Sequence, residues 1–133
     1  MTAVDKAEFA TVRVHVPAKL NLTLRTGARR QDGFHPLATL FQAVSLYDEV
    51  AVTGAEDGDL ALSVTGEGAG QVPDGTDNLA LRAAALLRER FGHPRQGASL
   101  TIRKQIPVAG GMAGGSADAA GALLACSVLW DLD

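Results

Sequence analysis

The chain is poor in several residue types, and each scarcity excludes a class of protein. Its 133 residues contain one cysteine, Cys126, which excludes an internal disulfide and, within an apolar stretch, predicts a buried thiol. The chain has 12 Lys and Arg residues and 15 Asp and Glu residues, which gives a net charge of −3. We therefore expect no basic surface for nucleic acid or a membrane. No apolar run reaches membrane-spanning length, and residues 2–8 are polar and acidic rather than signal-like. We therefore expect a cytoplasmic domain that acts on a small molecule.

Hydrophobic periodicity predicts strands in the first half of the chain. Apolar residues alternate with polar ones from residue 11 to residue 25, which predicts two strands or one bent strand. The alternation puts Lys19 and Asn21 on one face, opposite the leucines. Residues 37–52 are dense in apolar side chains and fit a strand or a helix, followed by a strand.

The second half of the chain alternates helix and strand signals. Apolar residues from Leu79 to Leu87 fall on one helix face, and Gly92 ends that helix. Leu100 and Ile102 indicate a last strand, and small or apolar residues from Ser116 to Trp130 predict a central helix buried on all sides. The fold class expected is α+β or mixed α/β, with a mixed sheet packed against helices.

A glycine-rich loop opens directly into this last helix. Residues 106–120 read IPVAGGMAGGSADAA, and glycines let successive backbone N–H groups turn towards an anion at the positive end of a helix dipole. The mononucleotide phosphate loop requires a lysine after its last glycine, and the dinucleotide loop a G-x-G-x-x-G spacing, so neither fits. The alternative is a glycine turn that only lets the helix pack closely on the sheet.

Two polar residues in the first turn of this helix have more than one interpretation. Asp118 invites assignment as a catalytic base, but the helix dipole alone favours a carboxylate there, which indicates a capping or supporting role. Ser116 fits an N-cap, and its hydroxyl could also meet a phosphate oxygen or Mg²⁺.

The three histidines do not have metal-ligand spacing. His15 and His93 are most simply surface residues. His35 follows Phe34 in a tight turn, where the pair could stack on and hydrogen-bond to a heterocycle, although Phe34 could equally anchor the loop in the core.

Four segments in order carry a resemblance to a known family. PAKLNL from residue 17, RQDGFH from residue 30, LFQ from residue 40 and the glycine loop resemble the small-molecule kinase superfamily of galactokinase, homoserine kinase and mevalonate kinase. Within it, the segments are similar to the kinases that act on 4-diphosphocytidyl-2-C-methyl-D-erythritol. The resemblance implies a fold like that of ribosomal protein S5 domain 2 and transfer of the ATP γ-phosphoryl group to the substrate's 2-hydroxyl, in non-mevalonate isoprenoid synthesis.

The resemblance also implies site residues. Lys19 would be the catalytic lysine, Asn21 a substrate contact, and Phe34 with His35 the pair that recognises cytosine; family members commonly carry tyrosine in place of Phe34. ATP, with Mg²⁺, would be bound by Asn78, Leu79, Lys104, Pro107, Val108, Ala109, Gly110, Gly111, Met112, Ala113, Gly114, Gly115, Ser116 and Ala117.

Two points in these assignments stay open at the sequence level. Lys104 could supply charge to a loop that lacks its own lysine, or be an exposed cation at a strand end. Ala109, Ala113 and Ala117 replace residues that are often glycine or serine in the family, and backbone donation survives alanine where φ is negative.

The resemblance also implies a catalytic aspartate in a later Gly-Ala-Asp-Val-Pro segment, which residues 1–133 do not contain. We therefore expect this aspartate beyond Asp133, and we expect residues 1–133 to be the N-terminal kinase domain without its second domain, inactive alone. The alternatives are a nucleotide-binding module without catalysis, another kinase of the superfamily, and a nucleic-acid-binding domain, against which the net charge argues.

Overall fold

Four strands and two helices make up residues 10–132, the part of the chain that the computed structural model describes. The elements are β1 (Thr11–Thr26), β2 (Leu37–Ala55), β3 (Leu60–Gly66), α1 (Leu79–Phe91), β4 (Gly97–Lys104) and α2 (Gly114–Leu129). Short 3₁₀ turns follow β2 at Glu56–Gly58 and β3 at Ala69–Gln71. The predicted helix that ends before Gly92 and the predicted last strand are confirmed.

The four strands form one mixed sheet in the order β1-β2-β4-β3. β2 is antiparallel to both β1 and β4, whereas β3 runs parallel to β4 and is joined to it through α1. Residues 37–52, which the pattern left open between helix and strand, lie in β2. This strand pairs on both sides, so it is apolar along much of its length and shows no clear alternation.

β1 is one strand with two register shifts, after Pro17 and after Asn21. Its pairing with β2 continues to Thr26 and Leu37, so the far half of the two strands forms a hairpin arm (residues 20–43). The arm's side chains are mostly exposed, including several large apolar ones: Leu20, Leu22, Leu24, Leu37, Leu40 and Phe41. The hydrophobic core lies under the other half of the sheet.

The core forms where α2 packs on β1, β2 and α1. Val50, Leu100 and Ile102 are fully buried there, together with Cys126, which confirms the expected buried thiol. Gly121 is the point of closest approach, because a Cβ atom at this position would lie 2.7 Å from Val16 Cγ1 and 3.1 Å from Val50 Cγ2.

The expectation that α2 is buried on all sides is wrong. Leu123, Leu124 and Val128 are exposed on the face turned away from the sheet. The apolar composition of α2 hides this, because a helix that is apolar all round has no polar stripe to mark its outer face. Neither helix within residues 10–132 is long and apolar enough to cross a membrane.

We predict that Gly121→Val lowers the free energy of unfolding by about 1–3 kcal/mol, since the new methyl groups overpack the contact with Val16 and Val50. Urea denaturation of the chain followed by circular dichroism measures the change. Gly75→Val is the matched control, because a side chain at Gly75 meets no atom within 4 Å. Equal unfolding midpoints for the two variants would show that α2 does not approach the sheet as described.

Candidate functional site

The glycine loop, residues 107–113, lines a cleft of about 370 Å³ at the start of α2. Residues 71–73, 77–79 and 107–116 form its walls, with the side chains of Lys104 and Asp118. This volume suits a small-molecule ligand. The structure thus brings together every residue expected at the nucleotide except Ala117, which does not line the cleft.

The loop backbone turns through three left-handed residues. Gly111 has φ +72°, and Ala109 and Ala113 have φ +60° and +58°. The sequence argument that alanine is tolerated in the loop assumed a negative φ. That assumption is wrong at Ala109 and Ala113. A left-handed alanine costs about 1–2 kcal/mol, and left-handed residues within a turn can direct successive N–H groups towards one point, which suits an anion.

The helix begins earlier than predicted, at Gly114, and its N-cap is Ala113. Ser116 is therefore the third helical residue, and the N-cap interpretation of Ser116 is wrong. Ala113 provides no side-chain cap. The N–H groups of the first turn lack partners within any helix, and residues 114–116 line the cleft at the positive end of the helix dipole.

A buried ion cluster lies beneath the loop and consists of Asp48, Lys104 and Asp118. The Lys104 ammonium donates to Asp48 Oδ2 at 2.5 Å and to Asp118 Oδ2 at 2.7 Å. Asp48 Oδ1 accepts the backbone N–H groups of Gln105 at 2.6 Å and Ile106 at 2.8 Å. Lys104 is 3% exposed, so its alternative as an exposed strand-end cation is wrong.

The pKa values of the two carboxylates in the ion cluster shift in opposite directions. Burial raises the pKa of Asp118 to about 6, and Lys104 only partly opposes that rise. Burial would also raise the pKa of Asp48, but the Ile106 and Gln105 amides and the Lys104 ammonium together lower it. Burial works against the charged form of Lys104, yet the two carboxylates raise its pKa.

Asp118 does not cap the helix, because its side chain bonds to Lys104 instead. Its Oδ1 atom is buried and has no hydrogen-bond partner among the described residues. Sequence reasoning missed Asp48 altogether. The signal available to it was a carboxylate beside the apolar residues of a central strand, which requires a partner once it is buried.

Lys19 lies beside the glycine loop. Its backbone N–H donates to Met112 O at 3.1 Å, and its ammonium contacts Asn21 Oδ1 and lies 5.2 Å from the centre of the Phe41 ring. Asn21 donates in turn to Thr39 Oγ1 at 2.8 Å. The predicted shared face of Lys19 and Asn21 is confirmed, although neither residue is among those that line the cleft.

The catalytic aspartate that should assist Lys19 stays a prediction. It is expected beyond Asp133, and Asp133 itself lies outside the described residues 10–132. Neither carboxylate of the ion cluster takes its place, because Asp48 and Asp118 are both buried and paired with Lys104. Residues 10–132 therefore contain Lys19 and the glycine loop without that aspartate.

Phe34 and His35 lie at the tip of the hairpin arm, outside the residues that line the cleft. Phe34 is 74% exposed, so the alternative in which it anchors the loop in the core is wrong. His35 Nδ1 lies 2.9 Å from Gly27 O. A carbonyl only accepts, so Nδ1 carries the proton and Nε2 of the neutral ring is left as an acceptor. This arrangement offers a flat apolar face beside a hydrogen-bonding ring.

The other two histidines are surface residues, as expected. His15 pairs with Glu49 on the exposed side of β1, and His93 Nδ1 accepts the N–H of Arg95. Within residues 10–132 there is no group of three His, Cys, Asp or Glu side chains that could hold a metal ion.

Part of the chain matches a known family model. Residues 78–133, which contain α1, β4, the glycine loop and α2, match the N-terminal domain of the GHMP kinases. The resemblance drawn from the four sequence segments is thereby supported at the level of the superfamily, and the expected α+β fold class is confirmed.

Individual relatives narrow the resemblance. Proteins named 4-diphosphocytidyl-2-C-methyl-D-erythritol kinase from Cutibacterium acnes and Streptomyces coelicolor have 57% and 59% sequence identity to this chain. In each case the alignment covers 90% of the chain. A crystal structure of 4-(cytidine 5'-diphospho)-2C-methyl-D-erythritol kinase is 40% identical, with a TM-score of 0.75 over 90% of this chain and 41% of its own. The expected similarity to these kinases is confirmed. The chain spans about 40% of the length of the curated relatives it matches.

We predict that Asp118 makes stability fall as pH rises from about 4 to about 6. Its raised pKa means that the folded state holds the proton more tightly than the unfolded state, so folding is favoured below this window and that gain is lost above it. Urea denaturation at several pH values measures the effect. The unfolding free energy of the wild type should fall relative to that of Asp118→Asn across the window, because asparagine stays neutral. A difference between the two proteins that does not change with pH would contradict the prediction.

Proposed function

We propose that the complete protein is an ATP-dependent kinase that phosphorylates the 2-hydroxyl of 4-diphosphocytidyl-2-C-methyl-D-erythritol, in the cytoplasm, as a step of non-mevalonate isoprenoid synthesis. The observation that carries the proposal is the bond from the Lys19 backbone to Met112 of the glycine loop. It holds a side chain suited to phosphoryl transfer beside a cleft suited to phosphate. The names of the relatives support the choice of substrate.

In this proposal, the backbone rather than a lysine binds the polyphosphate. The ammonium of Lys104 is already paired with two carboxylates, so the ion cluster carries a net charge of −1 and does not attract phosphate. Attraction comes instead from the N–H groups of residues 111–116 and from the dipole of α2. Asn78 and Leu79, which also line the cleft, would contact the rest of the nucleotide.

Mg²⁺ would accompany the nucleotide. The cleft offers an oxygen atom of the kind that Mg²⁺ prefers, namely the Ser116 hydroxyl. When bound, the ion would neutralise phosphate charge and thereby offset the negative charge of the ion cluster.

Lys19 would act on the transferred group. Its ammonium is half-buried and held by Asn21 and the Phe41 ring, so it can stabilise the charge that develops as the phosphoryl group moves. The aspartate expected to assist it, beyond Asp133, is part of the proposed remainder of the protein.

That remainder would be a second domain, since the curated relatives are more than twice as long as this chain. The exposed face of α2, formed by Leu123, Leu124 and Val128, is a surface that such a domain could cover. We therefore propose that residues 1–133 alone are inactive.

We predict that Lys19→Ala in the complete protein lowers kcat by about 100- to 1000-fold, the loss typical of removing one group that stabilises transition-state charge. ATP-dependent phosphorylation of the cytidylyl substrate measures it, with homoserine and mevalonate as competing acceptors and residues 1–133 as the negative control. Arg13→Ala is the matched control. Arg13 is a cation of the same strand, but it pairs with Glu49 away from the loop, so its removal should leave kcat unchanged.

Three outcomes of that assay would count against the proposal. Full activity of Lys19→Ala would remove Lys19 from its role. Phosphorylation of homoserine or mevalonate in preference to the cytidylyl substrate would indicate another kinase of the superfamily. Nucleotide binding by the complete protein without phosphorylation of any acceptor would favour the binding module.

We predict that Phe34→Ala raises the KM for the cytidylyl substrate by about 5- to 100-fold, the range expected when one base loses an aromatic stacking partner. The KM for ATP should not change, because Phe34 does not line the cleft. Steady-state kinetics of the complete protein measures both constants. Phe91→Ala removes another exposed phenylalanine, at the end of α1, and is the matched control. An unchanged KM for the cytidylyl substrate would show that Phe34 does not contact cytosine.

A further inference from the structure

Asp48 is a fully buried carboxylate on a central strand, and each of its oxygens has a separate task. Oδ1 accepts the N–H groups of Gln105 and Ile106, the two residues between β4 and the glycine loop. Oδ2 accepts from the ammonium of Lys104, which is the last residue of β4. One side chain of β2 therefore fixes three consecutive residues where the chain leaves the sheet.

The ion cluster also reaches the far end of the loop. Lys104 bonds to Asp118 of α2 at 2.7 Å. Gly114, the first residue of α2, lies so close that a Cβ atom there would be 3.1 Å from Lys104 Nζ and 3.2 Å from Ile106 Cγ2. The ion cluster is thus bonded to the chain before the glycine loop and to α2 after it, through Lys104 and Asp118, which are 14 residues apart along the chain.

We propose that Asp48 is a positioning residue for the nucleotide: it holds Lys104 and the start of the glycine loop in place without touching the ligand itself. This inference rests on the nucleotide role proposed above for the cleft. A loop that binds phosphate through backbone N–H groups needs its backbone fixed in advance, because ordering the loop on binding would cost affinity. Asp48 lies at the position from which one side chain can do this.

Asp48→Asn tests the role without changing the size of the side chain. An amide has one oxygen and one NH₂ group. In one orientation of the amide, its oxygen accepts from Gln105 and Ile106, and its NH₂ group faces the Lys104 ammonium, which is also a donor. In the other orientation, its oxygen faces Lys104, and its NH₂ group faces the two backbone donors. The variant therefore loses one of the two attachments in either orientation.

Glu49→Gln is the matched control. Glu49 is the next residue of β2 and also binds two partners, Arg13 at 3.1 Å and His15 at 3.2 Å, but on the exposed side of the sheet. Steady-state kinetics of the complete protein should show the KM for ATP raised about 10- to 100-fold in Asp48→Asn, the loss expected from a misplaced binding loop. The KM for the cytidylyl substrate should stay within about twofold, and Glu49→Gln should change neither constant.

Hydrogen exchange gives a readout that does not depend on catalysis. In the wild type, the amides of Gln105 and Ile106 should exchange as slowly as those of β4, although both residues lie outside the strand. In Asp48→Asn, these amides and those of residues 107–113 should exchange at least about tenfold faster, whereas Glu49→Gln should leave them unchanged.

The results separate this inference from the proposed function. Absence of phosphorylation by the wild type would contradict the kinase, while the exchange rates would still test Asp48. Fast exchange of the Gln105 and Ile106 amides in the wild type would overturn the inference even if Asp48→Asn did not fold. An unchanged KM for ATP in a folded Asp48→Asn protein, or an equal rise in both KM values with unchanged loop exchange, would overturn it too.

Discussion

The placement of one ammonium between two carboxylates governs the geometry of the site. Lys104 joins Asp48 on β2 to Asp118 on α2, and all three side chains are withdrawn from solvent. Burying such charges is unfavourable unless each is paired and hydrogen-bonded. The backbone N–H groups of Gln105 and Ile106 satisfy the remaining oxygen of Asp48. The two residues that lead into the glycine loop are therefore tied to a buried carboxylate of β2.

In the proposed function, this arrangement separates binding from chemistry. The lysine nearest to the glycine loop in sequence is paired with two carboxylates, so in that proposal the loop attracts phosphate through its N–H groups and the helix dipole. Lys19, the lysine proposed to act in the chemistry, lies on β1 and is joined to the loop by its backbone bond to Met112. Within residues 10–132 its ammonium interacts with Asn21 and Phe41 rather than with a carboxylate, so its positive charge is not neutralised there.

The elements and site residues that carry a local sequence signal could be predicted from the sequence. Those that depend on pairing between distant residues could not. α1, β4 and the glycine loop each carry their signal within about ten residues, as periodicity, a capping glycine or a glycine cluster. Lys19 and Asn21 share a face because of strand alternation alone. The role of Asp48 depends on Lys104, 56 residues away, and no pattern within either strand indicates that pairing. The left-handed conformation of Ala113 was equally hidden, since alanine does not favour it.

The exposed apolar surfaces bear on how such a site could exclude water. Phosphoryl transfer to an alcohol competes with hydrolysis, so in the proposed function the cleft needs cover during the reaction. In residues 10–132 the cleft is not enclosed, and apolar side chains are exposed on α2 and along the hairpin arm. In the proposed function these exposures have one explanation, because a second domain packed on α2 could also close the cleft. The domain described here would then provide the phosphate loop and Lys19, while the enclosure that the reaction requires would form only between two domains.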